Sequence, residues 1–332
     1  MARVKLTFIR ASPKIESERM NILSEELIID ESKFTELTTI GAKYNSLSIS
    51  NPSNIEVDAE ALMEHLKQIT DIEKVEKLII DYNSSLTNLR ILSAFTSLKI
   101  LHVYGQHIKS LDGIEFFNKG EYIKIQTHSN RHRDLSQLSN TKVEYIDLFA
   151  ERKEDLTAIA GFKNIKILDI YHSPIEPDFE EWKDVRIENL SFKSCKFKEF
   201  GNTTAASALD DISILGCRSL ERFTGDNSNI KRLVLDGSKK LDLRTLKTFA
   251  GIETLIVNSC TQEMNLTELA GLDNVKHIDF ILCQVQVDLI QLKEHFPQIE
   301  SLHISQMKKG YGMQLKDLNP NVKITSNSFR LE

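Results

Sequence analysis

Four cysteines, at positions 195, 217, 260 and 283, are the residues best equipped for chemistry, as thiolate ligands or a redox pair. Their spacings of 22, 43 and 23 contain no CxxC, and a zinc site needs two further ligands nearby. Free cysteine is among the most buried residue types, so a column of buried thiols is the expectation. His128 and His132 form an HxxxH spacing in HSNRH, beside Arg131 and Arg133. On a helix that spacing can bind zinc, but the segment follows a strand-like run and lacks the glutamate of a zincin helix, so a solvated polar turn is expected. The two arginines are too few for a nucleic-acid footprint. His102, His172, His277 and His303 are expected singly on an exposed sheet face. No GxGxxG, P-loop or GxSxG occurs. Catalytic groups can converge from distant positions. Only His102, Asp147, Asp169 and His172 approach such a cluster, on a surface expected to lack a shaped pocket. No catalytic residue, metal or cofactor is therefore expected.

The chain has 332 residues, 42 Lys+Arg against 48 Asp+Glu, and a formal net charge of −6. Hydrophobic residues at 41% exclude a disordered acidic chain. Mild acidity argues against a general nucleic-acid binder. No apolar run approaches 18 residues, which argues against a membrane span. The opening MARVKLTFIRASPKIESER carries no signal-peptide core. Together with cysteines too sparse for a disulfide framework, this predicts a cytoplasmic protein.

The elements that must position any site come from one repeated pattern: apolar, two variable, apolar, one variable, apolar. It reads LKILHV from Leu98, VEYIDL from Val143, IKILDI from Ile165, IKRLVL from Ile230, IETLIV from Ile252 and IESLHI from Ile299. The second apolar residue falls at Leu101, Ile123, Ile146, Leu168, Leu190, Ile212, Leu233, Leu255, Ile278 and Leu302, at intervals of 21 to 24. Weaker copies place it at Leu6, Leu27, Leu47 and Leu78 before, and Val322 after, for about fifteen coils. Alternating apolar residues predict a short strand, and a constant circuit makes neighbouring strands parallel.

The other half of each circuit has apolar residues every third position, as in Leu243, Leu246, Phe249 and Ile252, which suits 3₁₀ turns. Between Leu47 and Leu78 the interval is 31, and VDAEALMEHLKQI has helical spacing with Asp58 as N-cap, predicting one longer convex helix near 58–69. GNTTAAS and TGDNSN read as loops, so the convex side is expected to be irregular around 200–230. Pro174 and Pro177 bar a helix interior from SPIEPDFEEW. No linker divides the chain, which reads as a single domain over 1–332. Neither end shows a polar cap, so the first strand (Val4, Leu6, Phe8) or the last (Val322, Ile324, Phe329) is expected to be covered by an irregular segment or a second copy.

The chain resembles the leucine-rich repeat proteins, whose LxxLxLxx(N/C)xL pattern it repeats, with the 22-residue period of the internalin-type class. The resemblance implies an α/β solenoid, a ladder of about fifteen coils with a concave parallel β-sheet and a convex side of 3₁₀ turns and short helices. It places each cysteine at the family's Asn/Cys position. It also implies that the concave sheet binds another protein; fold alone does not specify function.

On that geometry the variable strand residues face outward from the concave sheet. His102, Tyr104, Tyr122, Lys124, Glu144, Tyr145, Asp147, Phe149, Asp169, Tyr171 and His172 gather on four adjacent coils, a patch about 15–20 Å wide at ~4.8 Å per coil. Tyrosine clusters suit interface anchors, because the ring buries area while the hydroxyl stays hydrogen-bonded. Asp147 and Asp169, with Glu144 adjacent, predict a protein partner with a basic patch, and neither nucleic acid nor membrane. The expected function is a non-enzymatic scaffold gripping a partner protein, such as a cytosolic immunity protein neutralising a toxin. Alternatives are a regulatory subunit of an enzyme such as a phosphatase, or a surface or secreted adhesin of internalin type. The sequons at Asn83, Asn202 and Asn265 matter only in a eukaryotic secretory route.

Overall fold

A computed structural model describes residues 25–41, 43–126, 134–260, 263–327 and 329–330. The possible first strand at Val4, Leu6 and Phe8, and the HSNRH segment with His128, Arg131, His132 and Arg133, lie outside them. One fifteen-stranded sheet runs in strict chain order. Its first fourteen strands are parallel, and the last, Phe329–Arg330, is antiparallel to Lys323–Ser326. The pairing register follows the repeat mark residue for residue: Leu27 pairs Leu47, Leu47 pairs Leu78, Leu101 pairs Ile123, and Ile278 pairs Leu302. At the end it differs from the sequence reading, because Leu302 pairs Ile324 and not Val322. Val322 is also apolar and buried, but it precedes the strand Lys323–Ser326. The antiparallel return at 329–330 covers the edge of that strand.

The two inward apolar residues of each strand form one continuous core with the convex side chains. Every third residue faces that core from short 3₁₀ turns, as at Arg90–Ala94, Leu135–Asn140 and Leu243–Thr248. Side chains at i and i+3 eclipse in such turns, so one face is apolar. A helix at Ala59–Leu66, with Asp58 accepting from Glu60 N and Ala61 N, fills the 31-residue interval. From Leu168 to Ile278 the residue four places after the mark turns left-handed: His172, Ser194, Gly216, Gly237, Ser259 and Leu282 have φ between +54° and +70°. Leu282 is a side chain ill suited to that region, where a non-glycine residue costs about 1 kcal/mol, and it projects into solvent with 51% exposed.

The segment around 200–230 is more ordered than its composition predicts. Glu199–Gly201 and Arg222–Thr224 form a second, parallel pair on the convex side, and Met264–Asn265 pairs likewise with Val285–Gln286. The cause is aromatic. Phe197, Phe200 and Phe223 are buried, with Phe200 in edge contact with Phe192 and Phe223. Gly201 permits the approach, since a Cβ there would sit 1.8 Å from Thr224 O. Polar residues that read as loop formers are hubs instead. Asn227 donates to Thr224 O and Thr248 Oγ1, and its Oδ1 accepts from Thr203 N. Trp182, from the proline-bounded stretch, donates Nε1–H to Leu156 O at 3.0 Å.

Glu176 accepts the Gly201 N–H at 2.7 Å, and burial pushes its carboxyl up to about 7. A raised acid contributes stability that is complete below its unfolded value of 4.5 and is lost as pH rises through about 7. Glu176→Gln keeps the acceptor and removes the charge. It should raise the melting temperature at pH 8 and change it little at pH 5; equal shifts at both, followed by circular dichroism, would contradict this.

Candidate functional site

Parallel register builds the concave surface one coil at a time. Tyr122 pairs with Tyr145, Lys124 with Asp147, Asp147 with Asp169, and Phe149 with Tyr171, which pairs in turn with Lys193. All project from the face opposite the core. Tyr122 and Tyr145 rings pack with centroids 4.6 Å apart, and His102 meets Tyr122 edge-on at 5.6 Å. Phe149 stacks on Tyr171 at 5.4 Å and 7° and lies 4.9 Å from His172.

Beneath the rings is a polar layer. Tyr122 donates its hydroxyl to Asp147 Oδ2 at 3.1 Å, and Tyr145 donates to Asp169 Oδ2 at 2.8 Å. Each bond crosses from one coil to the next by the same diagonal. Lys124 Nζ lies 3.1 Å from Asp147 Oδ2, and Lys193 Nζ lies 2.6 Å from Asp169 Oδ2 and 3.1 Å from Tyr171 Oη. Lys124 and Lys193 also sit over the Tyr171 ring, 5.6 and 5.0 Å from its centroid. Asp147 Oδ1 is buried without a hydrogen-bond partner.

This layer sets the protonation states. Burial raises the Asp147 carboxyl, opposed by Lys124. Burial and Asp147 raise the Tyr122 phenol, and Tyr171 is pushed up to about 12 by the same two causes. Burial alone would lower Lys193, but Asp169 overrides it and holds the ammonium above its ordinary value. His102 is held down to about 3 by burial, then by Lys77 and Lys124, so its ring is neutral at physiological pH. Its Nδ1 lies 3.2 Å from the Tyr104 hydroxyl.

The structure brings together Tyr104, Tyr122, Lys124, Tyr145, Asp147, Phe149, Asp169, Tyr171, His102 and His172, with four corrections. Asp147 and Asp169 are 2% and 4% exposed and already carry the chain's own lysines, so they are not free acids awaiting a basic patch. Phe149 is only 6% exposed, because Tyr171 and His172 cover it. His102 is not solitary. Glu144 stands outside the array, on the rim, where Lys166 pairs with it at 2.9 Å. The same rim carries Glu76 with Lys99 and Glu253 with Lys276, a ladder of ion pairs between successive coils.

Lys193 also belongs to the array, and its signal in the sequence is its place three residues after the mark Leu190, as Tyr171 is three after Leu168. On the distal coils the histidines are not solitary either. There His277 Nδ1 lies 2.9 Å from Ser301 Oγ, with Nε2 3.9 Å from Glu300 Oε2, and His303 Nδ1 lies 2.9 Å from Thr325 Oγ1. Glu300 is exposed, and a solvated carboxylate at that distance does not fix an imidazole as a general base requires. The cysteines are free and buried as expected, with Cys283 Sγ 3.3 Å from Val257 O and Ile281 O. Among the described residues no three His, Cys, Asp or Glu are placed to hold a metal, and no helix is long and apolar enough to cross a membrane.

No family model and no curated protein matches this sequence. Solved structures do match in shape. Toll from Drosophila, glycosylated and in complex with Spatzle, aligns over 90% of this chain and 47% of its own, with 11% identity and a TM-score of 0.56. This chain thus spans under half of that one. An internalin from Listeria monocytogenes aligns over 84% of this chain and 90% of its own, with 13% identity and a TM-score of 0.48. A second L. monocytogenes domain, which includes a cysteine ladder, aligns over 90% and 67%, with 14% identity and 0.46. The fold is the leucine-rich repeat solenoid.

Removing one lysine tests the polar layer. Lys193→Met should keep the packing yet strand Asp169, costing about 3 kcal/mol in urea unfolding. Adding Asp169→Asn should recover much of that loss; no loss in the single variant would show that the pair is not coupled to folding.

Proposed function

We propose that this protein is a non-enzymatic scaffold that grips a partner protein on its concave sheet, anchored on Tyr104, Tyr122, Tyr145 and Tyr171. The observation that carries the reading is the locking of tyrosine hydroxyls by buried acids. Tyr122 and Tyr145 donate to Asp147 and Asp169, and Tyr171 receives Lys193. The rings are therefore held in place before a partner arrives, which lowers the ordering cost of binding. Rigid, half-exposed aromatics set over a satisfied polar layer are the composition of interface hot spots. Toll, of the same fold, is seen in complex with Spatzle, which supports a protein as the partner class.

Because the two acids are neutralised from within, the partner's central contact is apolar or aromatic and not cationic. The finer assignment is an immunity protein neutralising a toxin in the cytoplasm. Two features support it: the whole repeat pattern serves one surface, and four free thiols suit a reducing compartment.

Tyr145→Ala combined with Tyr171→Ala should lower affinity for the physiological partner at least about a hundredfold, with the melting transition still cooperative. Unchanged binding would remove the array from consideration. Co-expression with a toxin partner should restore growth of the host cell. A bound enzyme whose rate changes without rescue would identify a regulatory subunit instead, and binding to host-cell surfaces an adhesin.

A further inference from the structure

Beyond Lys193 the concave face changes character. Leu215, Val234, Ile256 and Ile281 make an apolar strip over consecutive coils, with Asp236 and Asp279 set into it. Asp147 has Lys124 in register and Asp169 has Lys193 two positions along the next strand, whereas Asp236 and Asp279 have a lysine or arginine at neither kind of position. Asp236 is paired in register with Leu215 and Asn258, and Asp279 with Ile256 and His303. Arg232, the nearest guanidinium in the strand register, is committed to both oxygens of Asp211, at 3.1 and 3.0 Å. Burial raises both carboxyls; at Asp236 it is the sole cause, while His303 and His277 oppose it at Asp279. A half-buried carboxylate without a counter-ion is a standing cost of the folded chain.

Resting on the reading of the concave sheet as the partner-facing side, we infer that this distal half docks an extended polypeptide segment carrying two basic side chains about an apolar one, with Asp236 and Asp279 as the charge anchors. The spacing fits. The two acids are two coils and two strand positions apart, about 12 Å at ~4.8 Å per coil and ~3.3 Å per residue. Residues i and i+4 of an extended segment span about 13 Å, and residue i+2 then falls on the intervening coil between Ile256 and Asn258. Charge complementarity thus belongs to this half of the face, and aromatic anchoring to the tyrosine half.

The test uses the full chain and two acetylated ten-residue peptides, one with lysines four residues apart about a central valine, the other with glutamates replacing the lysines. In calorimetry at low salt the lysine peptide should bind and the glutamate peptide should not. Asp236→Asn with Asp279→Asn should weaken the lysine peptide at least about tenfold, and added salt should do the same. Among the described residues neither acid has a lysine or arginine partner in the strand register, so this variant should fold with little change in thermal stability. Tyr145→Ala with Tyr171→Ala should leave the peptide's affinity unchanged, which keeps failure of this inference distinct from failure of the tyrosine anchor. Equal binding of both peptides, no binding of either, or binding unaffected by the asparagine pair would overturn it.

Discussion

A circuit of near-constant length, closed by backbone hydrogen bonds to the preceding circuit, is the constraint on which the molecule depends. Each strand donates to and accepts from its neighbours in parallel register, as Leu101 with Leu78 and Ile123. A single coil cannot bury its own apolar face, so stability comes from stacking. A one-residue slip would turn every inward leucine to solvent. That is why Leu, Ile or Val recurs at the marks while the convex side tolerates helices, 3₁₀ turns or a second pair of strands.

The same register distributes function. Any outward position is brought ~4.8 Å from its counterpart on the next coil, whatever the separation in sequence. Residues 22 or 24 apart therefore become ring neighbours or ion pairs, as Lys193 does with Tyr171 and Asp169. The tyrosine array is costly in one respect: two carboxylates and two ammoniums are largely withdrawn from water. Their mutual pairing offsets this, and the net result is rigidity more than stabilisation. A protein assembled this way presents aromatic faces whose conformational entropy is already spent.

The contrast between the two halves of the face follows from neighbours, not from residue type. Asp147 and Asp236 are both outward aspartates on adjacent-strand ladders. Lys124 stands beside the first, while Leu215 and Asn258 flank the second. Aromatic density drew the sequence reading to the first group. The second group carries a fainter signal, an outward acid with no lysine or arginine in register on either side.

The repeat alone determined the fold class, the register of the strands from Leu27 to Leu302, and which side chains face out, because a period-two strand within a fixed circuit allows a single arrangement. The burial of the cysteines was legible for a different reason, the preference of free thiols for the interior. It could not determine that Val322 yields the last register position to Ile324, because a lone apolar residue near a terminus fits either frame. Nor could it determine that the loop-like stretch near 200–230 pairs on the convex side, where buried phenylalanines and Gly201 draw two coils together. Only the tertiary structure decided that Asp147 and Asp169 are sealed by the chain's own lysines. Side-chain reach across coils, unlike strand alternation, depends on rotamers and on what the neighbouring coil supplies.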